Sequence, residues 1–280
     1  MNHNPKTIVQ TAQIPPVPHV LQRVLSLVEN PRTSSADLEK IVSTEPALST
    51  RLLKWVNSAY YALPRKVSSI SHAIILLGYS TVKSIASGMI LLDAFDDMPK
   101  VQKDYVSQIW KHTLKASSIM KVLAAKEKQD VQDDLFLSAM ISDVGYLVMS
   151  QYFQADYNKL IERNYFPSIE EEMEAFGINH AEVGSELLAL WQFPEIVLKL
   201  VKIHHDTELP DDMKKLVHYL QVVDFLAYQT DLGEYLNRDV GQIDPSFLTL
   251  LNLIDWTWDR LKENKTIVLQ SLTMIEQLYR

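Results

Sequence analysis

The sequence predicts an all-α fold, and three observations support that prediction. Only 7 of the 280 residues are glycine, which suits long helices better than strands and tight turns. Apolar residues recur at helical spacing in segment after segment, whereas no segment alternates convincingly between apolar and polar residues. An apolar share of 47% with 22% charged residues is typical of a globular chain that buries a sizeable core.

Helix caps and prolines in the N-terminal third of the chain predict a series of helices. The first predicted helix, in PPVPHVLQRVLSLVENP, has an apolar face made of Val20, Leu21, Val24, Leu25 and Val28. The next has Ser34 or Ser35 as its N-cap and stops before Pro46. A third runs from Pro46 to Pro64, because proline suits the first turn of a helix and disfavours the helical conformation before it.

Longer segments with few helix breakers follow. Helices are predicted over residues 68–95, 103–128, 136–153, 168–178, 180–193, 194–205, 211–229 and 265–280. The acidic stretch at residues 93–104 is the best boundary between two helical units, which places one at residues 1–98 and the other, with a C-terminal helical tail, at residues 99–280. The acidic run IEEEMEA, residues 169–175, is predicted to be a solvated helix face. Trp191, Trp256 and Trp258 are predicted to pack rather than to bind bases.

Composition excludes several classes of protein. The chain has no cysteine, which rules out disulfides, thiolate metal sites and cysteine nucleophiles. A net charge of -8 argues against nucleic acid as a partner. The N-terminus lacks the pattern of a secretory signal, and the apolar runs are too short to span a bilayer, so we expect a cytoplasmic protein without a membrane partner.

Several imidazoles and carboxylates interrupt otherwise apolar helices. The candidate site residues are His112, Asp143, His180, His204, His205 and Asp224. A helical bundle can assemble one metal site from such inward-facing side chains, although each of them taken alone is more often structural. His3, His19, His72 and His218 receive no functional interpretation.

Ordered blocks of sequence then resemble a known family. The blocks are the stretch from IPPVPHVLQRVLSLVENP to LLGYSTVKSIA, then IWKHTLKASSIMKVLA, DDLFLSAMISDVGYLVM, NHAEVGSELLALWQFPEIVLKLVKIHHD and VVDFLAY. Together they span roughly residues 14–230 and resemble the HDOD family, the bacterial HD-related output domain. The resemblance implies a helical N-terminal module packed on a degenerate form of the HD phosphohydrolase bundle.

In active HD enzymes a histidine, a His-Asp pair and a later aspartate bind a divalent metal that activates water for attack on a phosphoester. The resemblance places the first histidine at His112, the pair at Ser142 and Asp143, and the late aspartate at Asp224. The additional ligands of the cyclic-dinucleotide phosphodiesterase branch correspond to three further histidines of this chain. These are His180, His204 and His205.

Two positions depart from the pattern of the active enzymes. Ser142 replaces an imidazole with a hydroxyl, which is a poor ligand for a transition metal. Tyr146 stands where phosphodiesterase-type relatives often carry a lysine, and its phenol stays neutral at physiological pH. The chain is therefore predicted not to be an enzyme, and to hold no cofactor or, alternatively, a residual iron, manganese or zinc ion.

The predicted function is that of a bacterial regulatory protein in signal transduction, which acts by protein-protein interaction and carries a vestigial HD metal site. The alternatives are a weak metal-dependent phosphohydrolase and a sensor of nucleotides or cyclic dinucleotides. The first partner surface to test comprises Asn57, Tyr60 and Tyr61, although packing of the two tyrosines between helices is the favoured interpretation. The sequence leaves open the identity of the partner, the oligomeric state and the packing of the C-terminal tail.

Overall fold

A computed structural model describes most of the chain. The described residues are 3–27, 34–57, 66–95, 103–163, 166–229, 245, 247, 249, 258–266 and 269. Within these ranges the regular elements are helices, so the all-α prediction is confirmed.

The helices are α1 (Pro5–Thr11), α2 (His19–Ser26), α3 (Ser35–Ser43), α4 (Pro46–Val56), α5 (Ile70–Leu77), α6 (Tyr79–Asp93), α7 (Lys103–Leu123), α8 (Gln129–Ile141), α9 (Val144–Phe153), α10 (Ala155–Ile161), α11 (Ile169–Phe176), α12 (His180–Leu190), α13 (Glu195–Ile203), α14 (Lys214–Tyr228) and α15 (Trp258–Glu263). A 3-10 turn, Ala124–Lys126, follows α7.

Local signals place several helix starts where the sequence predicts them. The Asp37 carboxylate accepts hydrogen bonds from the Ser34 backbone N–H at 2.9 Å and from the Ser34 hydroxyl at 2.8 Å, so Ser34 is the residue that caps α3. Such a cap satisfies backbone donors that have no partner inside the helix. Pro46 is the first residue of α4, as predicted.

Two of the predicted long helices are broken in the structure. The segment 68–95 divides into α5 and α6 at Gly78, whose φ of 89° lies in a region that glycine adopts without a steric penalty. The segment 136–153 divides into α8 and α9 at Ser142 and Asp143. Asp143 has φ -96° and ψ 7°, outside the helical range, and it is the N-cap residue of α9. The predictions were wrong here because the helical periodicity of the sequence continues across each interruption.

The N-terminal helices pack directly on the C-terminal bundle. Helix α6 lies against α8, while α7 lies between α8 and α14. One apolar cluster extends from α1 to α13, and a second lies beneath α14. The predicted boundary near residue 98 stays a prediction, since residues 96–102 lie outside the described ranges.

Helices α9 and α12 approach so closely that their contact requires glycine. A Cβ atom on Gly145 would stand 1.9 Å from the carbonyl oxygen of His180 and 2.8 Å from the backbone nitrogen of Gly184. These distances are far below van der Waals contact. Gly145 therefore allows the first residue of α12, His180, to sit against the first turn of α9.

The described part of the C-terminal tail packs on its own bundle. Leu261 is buried in the cluster beneath α14, and Leu269 packs against the same cluster. Trp191 is buried and stacks on Phe95, as its predicted packing role requires. Trp256 and the side chain of Trp258 lie outside the described residues. None of the helices described here combines the length and the apolar character that a membrane crossing demands.

Candidate metal centre

Asp143 occupies the middle of a buried cluster of polar side chains. Because the chain turns between α8 and α9, the Asp143 carboxylate enters the bundle core, where the residue is 1% exposed. Its Oδ2 lies 3.4 Å from His112 Nε2, and its Oδ1 lies 3.7 Å from His204 Nε2. A carboxylate buried this deeply requires positive charge or hydrogen-bond donors around it.

The first group of potential ligands joins three helix segments that are distant in sequence. It consists of His112 from α7, Asp143, and Asp224 from α14, whose candidate ligand atoms all lie within 4.8 Å of one another. His112 Nε2 and Asp224 Oδ1 are 2.8 Å apart, a hydrogen-bond distance. The structure thus brings together three of the four positions that the sequence resemblance assigns to HD ligands.

The second group shares Asp143 with the first. It consists of Asp143, His180, His204 and His205, and its candidate ligand atoms also lie within 4.8 Å of one another. His204 Nδ1 donates to the Val201 carbonyl oxygen at 2.6 Å, which leaves Nε2 directed towards Asp143. All six predicted donor residues therefore belong to one of two groups that meet at Asp143.

Glu172 is a member of the site that the sequence analysis missed. The prediction that residues 169–175 form a solvated face was wrong for Glu172, which is fully buried on α11. Its Oε2 accepts hydrogen bonds from the His180 backbone N–H at 2.8 Å and from His180 Nδ1 at 2.7 Å. The spacing of Ile169, Glu172 and Phe176 on one helix face was the available signal.

The hydroxyl of Tyr157 donates to the other Glu172 oxygen, Oε1, at 2.5 Å. Glu172 is thereby held by the backbone and ring of His180 and by the phenol of Tyr157. A carboxylate that binds one imidazole nitrogen fixes the orientation of the ring and leaves the other nitrogen free as a ligand. This arrangement directs His180 Nε2 into the group around Asp143.

Both positions that depart from the HD pattern are buried. Ser142 lies beside Asp143 in the break between α8 and α9. The Tyr146 ring stacks on His180, with ring centroids 3.8 Å apart and an interplanar angle of 20°. Its hydroxyl donates to the Pro167 carbonyl oxygen at 2.9 Å. Burial raises the pKa of Tyr146 well above its ordinary value, so the phenol stays neutral as the sequence implies.

Aromatic rings also cover the other end of the cluster. Phe166 and Tyr228 pack against the His112 ring, with centroid distances of 4.7 and 4.5 Å. Phe166 contacts Tyr228 edge-on at 5.2 Å. These rings reduce the access of solvent to His112 and Asp143.

The charges of the cluster are mutually compensating. Burial opposes ionisation of Asp143, but the nearby imidazoles of His204 and His112 lower its pKa overall. Burial likewise opposes the charged forms of the two histidines, yet the hydrogen bond with Asp224 raises the pKa of His112, and the nearby Asp143 carboxylate raises the pKa of His204. Burial and the neighbouring imidazoles lower the pKa of His205, which is therefore neutral and able to act as a ligand.

The donor set fits a divalent cation. Asp143 Oδ2 and the Nε2 atoms of His180, His204 and His205 are buried and have no hydrogen-bond partner among the residues that the structure describes. Burial of such atoms is energetically unfavourable unless a hydrogen-bond partner or a metal ion binds them. Imidazole nitrogen and carboxylate oxygen are ligands suited to zinc, iron and manganese. Ser142 contributes no nitrogen ligand, so the set is one imidazole short of the HD pattern.

Comparison with known proteins identifies the family. A family model described as the HDOD domain matches residues 14–207, which is more than half of the chain and includes α2 to α13 and most of the metal centre. The chain belongs to the HDOD family. Within this HDOD chain, Asp224 and the helices after residue 207 lie beyond the matched range.

A relative occurs in Treponema pallidum (strain Nichols), under the name "Uncharacterized protein". It is 26% identical over 214 residues, a match that covers 73% of this HDOD chain but 40% of the Treponema protein. The HDOD chain thus spans less than half the length of that relative.

Two solved structures share the fold. A "Putative phosphohydrolase" from Shewanella amazonensis SB2B superposes with a TM-score of 0.75 at 19% identity, covering 97% of each chain. A "Putative signal transduction protein" from Marinobacter aquaeolei VT8 superposes with a TM-score of 0.68 at 20% identity, covering 96% of this chain and 61% of its own. At these identities the likeness establishes the fold alone.

The predicted partner surface is only partly described. The Asn57 side chain donates to the carbonyl oxygens of Leu53 at 2.7 Å and Val67 at 2.6 Å, and accepts from the Val67 N–H at 2.6 Å. Asn57 therefore joins the end of α4 to the segment before α5. Tyr60 and Tyr61 lie outside the described residues.

Proposed function

We propose that this chain is a non-catalytic signal-transduction protein of the HDOD family, which acts through a regulatory protein partner and retains a buried site for a divalent cation. The observation that carries the proposal is the structural role of Tyr146. Its ring lies on His180 and its hydroxyl binds the Pro167 carbonyl, so this residue serves the fold. A lysine at the same position could instead offset the charge of a phosphate.

The surroundings of the centre support the same proposal. Catalysis requires that a phosphoester reach the cation and that an open coordination position remain. Here the His112 ring is covered by Phe166 and Tyr228, and Ser142 removes one imidazole from the ligand set. When bound in such a site, a divalent cation supplies Lewis acidity to water and cross-links the helices that provide its ligands.

His180, His204 and His205, with Asp143, are the residues that we expect to hold the cation. Their free nitrogens come from α12 and from the end of α13, and the carboxylate comes from the start of α9. A cation here would therefore join three helices of the bundle. Glu172 and Val201 hold the opposite nitrogens of His180 and His204 and so orient the two rings.

The signalling part of the proposal rests on the family and on the printed name of the Marinobacter protein. A non-catalytic protein transmits a signal when its affinity for a partner differs between its own conformational states. Affinity capture from a bacterial lysate, followed by binding measurements with the purified partner, tests this part. A failure to reproduce any captured interaction with purified components would count against a protein partner.

The catalytic part is tested by assaying hydrolysis after loading with manganese, iron or zinc. The substrates are bis(4-nitrophenyl) phosphate and a cyclic dinucleotide. We expect the wild-type protein to bind metal and to show the same background rate as Asp143→Ala. Metal-dependent turnover that Asp143→Ala abolishes would overturn the proposal.

The second candidate is a metal-dependent phosphohydrolase, and one observation favours it. Asp143 belongs to both ligand groups, as a carboxylate does when it bridges the two ions of a two-metal hydrolase. The Shewanella structure carries a phosphohydrolase name. The same assay separates the two candidates, because turnover that requires both metal and Asp143 is the result this second candidate predicts.

A further inference from the structure

A second polar cleft lies between α6 and α8, at the opposite end of α8 from Asp143. Its volume is about 170 Å³, and Leu25 of α2 and Pro194 complete its walls. Asp130, in the first turn of α8, borders the cleft, whereas Asp143 follows the end of the same helix. At a rise of about 1.5 Å per residue Asp133, the buried aspartate of the cleft, is roughly 15 Å from Asp143, and no lining residue belongs to either ligand group, so the cleft is separate from the metal centre.

Two helix faces of complementary chemistry form this cleft. The face of α6 consists of Ser80, Lys83, Ser84 and Ser87. The face of α8 consists of Asp130, Asp133, Asp134 and Leu137. Both sets follow the spacing i, i+3, i+4, i+7, which places their side chains on one side of each helix. The cleft thus combines hydroxyl groups, three carboxylates and one ammonium.

The buried part of the cleft contains polar atoms that lack partners. Asp133 is 8% exposed, and its Oδ1 accepts from Thr81 Oγ1 and Gln129 Nε2, each at 3.0 Å. Its Oδ2 accepts no hydrogen bond from any residue in the described ranges. Ser87 is fully buried, and its hydroxyl has no hydrogen-bond partner among the described residues. A carboxylate oxygen and a hydroxyl left in this state both favour an incoming donor.

The charges of the cleft are unbalanced in the negative direction. Three aspartates and Lys83 line the cleft, and Lys121 of α7 also acts on Asp133, so the carboxylates exceed the lysines by one. Burial raises the pKa of Asp133, and it raises the pKa of Asp134 to about 6. Burial lowers the pKa of Lys83. Each direction shows that the charge on the group is incompletely compensated by its surroundings.

An organic ammonium fits this cleft better than a metal ion does. Among the described residues, these three aspartates do not form one of the groups whose ligand atoms converge within 4.8 Å. An ammonium needs fewer protein ligands than a metal ion, because its three N–H donors can be shared between a carboxylate, the Ser87 hydroxyl and water. Leu25 and Leu137 offer apolar surface to a short hydrocarbon chain.

We propose that the cleft between α6 and α8 binds a small aliphatic amine, with its ammonium group on Asp133, Asp134 and the Ser87 hydroxyl. A volume of about 170 Å³ is large enough for a chain of about four carbon atoms. This site is independent of the cation site proposed above, since none of its residues belongs to the metal centre.

The test is calorimetric titration of the full chain with 1,4-diaminobutane. 1,4-Butanediol, which has the same chain without the charge, and magnesium chloride are titrated in parallel. We expect heat and a raised thermal midpoint with the diamine alone. No response to the diamine, or an equal response to the diol, would overturn the proposal, as would a response to magnesium only.

Variants distinguish binding from a structural role. Asp133→Asn keeps a carbonyl oxygen for Thr81 and Gln129 but removes the charge, so we expect a loss of diamine affinity of about tenfold or more. Because the buried carboxylate is incompletely compensated, the thermal midpoint of this variant without diamine should not fall. Ser87→Ala should weaken binding without unfolding the protein. The exposed control Asp156→Asn should bind normally, and unchanged affinity in both cleft variants would contradict the assignment.

Discussion

The carboxylate of Glu172 holds His180 by its backbone and by its ring, with hydrogen bonds of 2.8 Å from the backbone N–H and 2.7 Å from Nδ1. Both side chains have 0% exposure. The same carboxylate thus satisfies a backbone donor at the buried start of α12 and sets the orientation of an imidazole at the metal centre. Glu172 and His180 are eight positions apart in the chain, and they meet because a short turn joins α11 to α12.

Replacing Glu172 with glutamine is expected to weaken zinc binding about 10- to 100-fold. A glutamine oxygen in place of Oε2 can accept from both His180 donors, but it is uncharged and its hydrogen bonds are weaker, so the ring is held less firmly. Zinc affinity is measured by competition with a chromogenic chelator. Glu174→Gln, at an exposed position of the same helix, is the matched control. Equal affinities in the two variants would show that Glu172 does not position His180.

Gly145→Ala should lower the free energy of unfolding by about 3 kcal/mol or more. The added Cβ would stand 1.9 Å from a carbonyl oxygen of α12, so the two helices must separate. The control is Gly184→Ala, whose Cβ would meet its nearest atom at 3.2 Å and whose cost should be about 1 kcal/mol or less. Urea denaturation followed by circular dichroism measures both values. Similar midpoints for the two variants would contradict the close approach.

Ser142→His is expected to raise metal affinity, because it restores an imidazole beside Asp143 at the centre of both ligand groups. The measurement is the metal-to-protein ratio by elemental mass spectrometry after dialysis against a limiting concentration of manganese. Ser142→Ala serves as the control, since it removes the hydroxyl without adding a ligand. A histidine variant that holds no more metal than the alanine variant would argue that this position does not face the site.

Asp134→Asn should stabilise the protein at neutral pH but not at pH 4. The folded-state pKa of Asp134 is raised from 3.8 to about 6, chiefly by burial and also by Asp133 and Asp130, while Lys83 opposes the shift. Between these two values the folded protein binds a proton that the unfolded chain has released, so wild-type stability falls as pH rises from about 4 to 6.

The asparagine variant lacks this titration. After allowance for partial solvent exposure, its advantage should reach about 1 kcal/mol at pH 7. Urea denaturation at pH 4, 5, 6 and 7 gives the free energies of unfolding, and the exposed Asp156→Asn serves as the reference. A stability difference that does not vary across this pH range would refute the prediction.

Much of the fold was predictable because helix starts are encoded locally. Ser34 and Asp37 cap α3 with groups that lie three residues apart, and Pro46 begins α4. The break at Asp143 was not predictable in this way, because the apolar pattern of α8 continues into α9. The close approach of Gly145 to α12 depends likewise on residues that are distant in the sequence.

The candidate site was likewise only partly predictable from the sequence. The chemistry of six donors was visible in the sequence, since imidazoles and carboxylates stand out in apolar helices and match the ordered blocks of the HDOD family. Glu172 was missed because its neighbours are acidic and exposed, and burial depends on the face that α11 turns to the core. The packing role of Tyr146 was equally invisible, since it depends on where Pro167 and His180 lie in space.

The sequence by itself therefore determined the helical class, most of the helix starts and the kinds of ligand atoms that the bundle carries. The tertiary structure alone decided which of those atoms meet. His112 and Asp224 are 112 positions apart in the chain and 2.8 Å apart in space. The physical reason is that helix formation depends on residues within a turn or two, whereas the convergence of ligands depends on how whole helices pack.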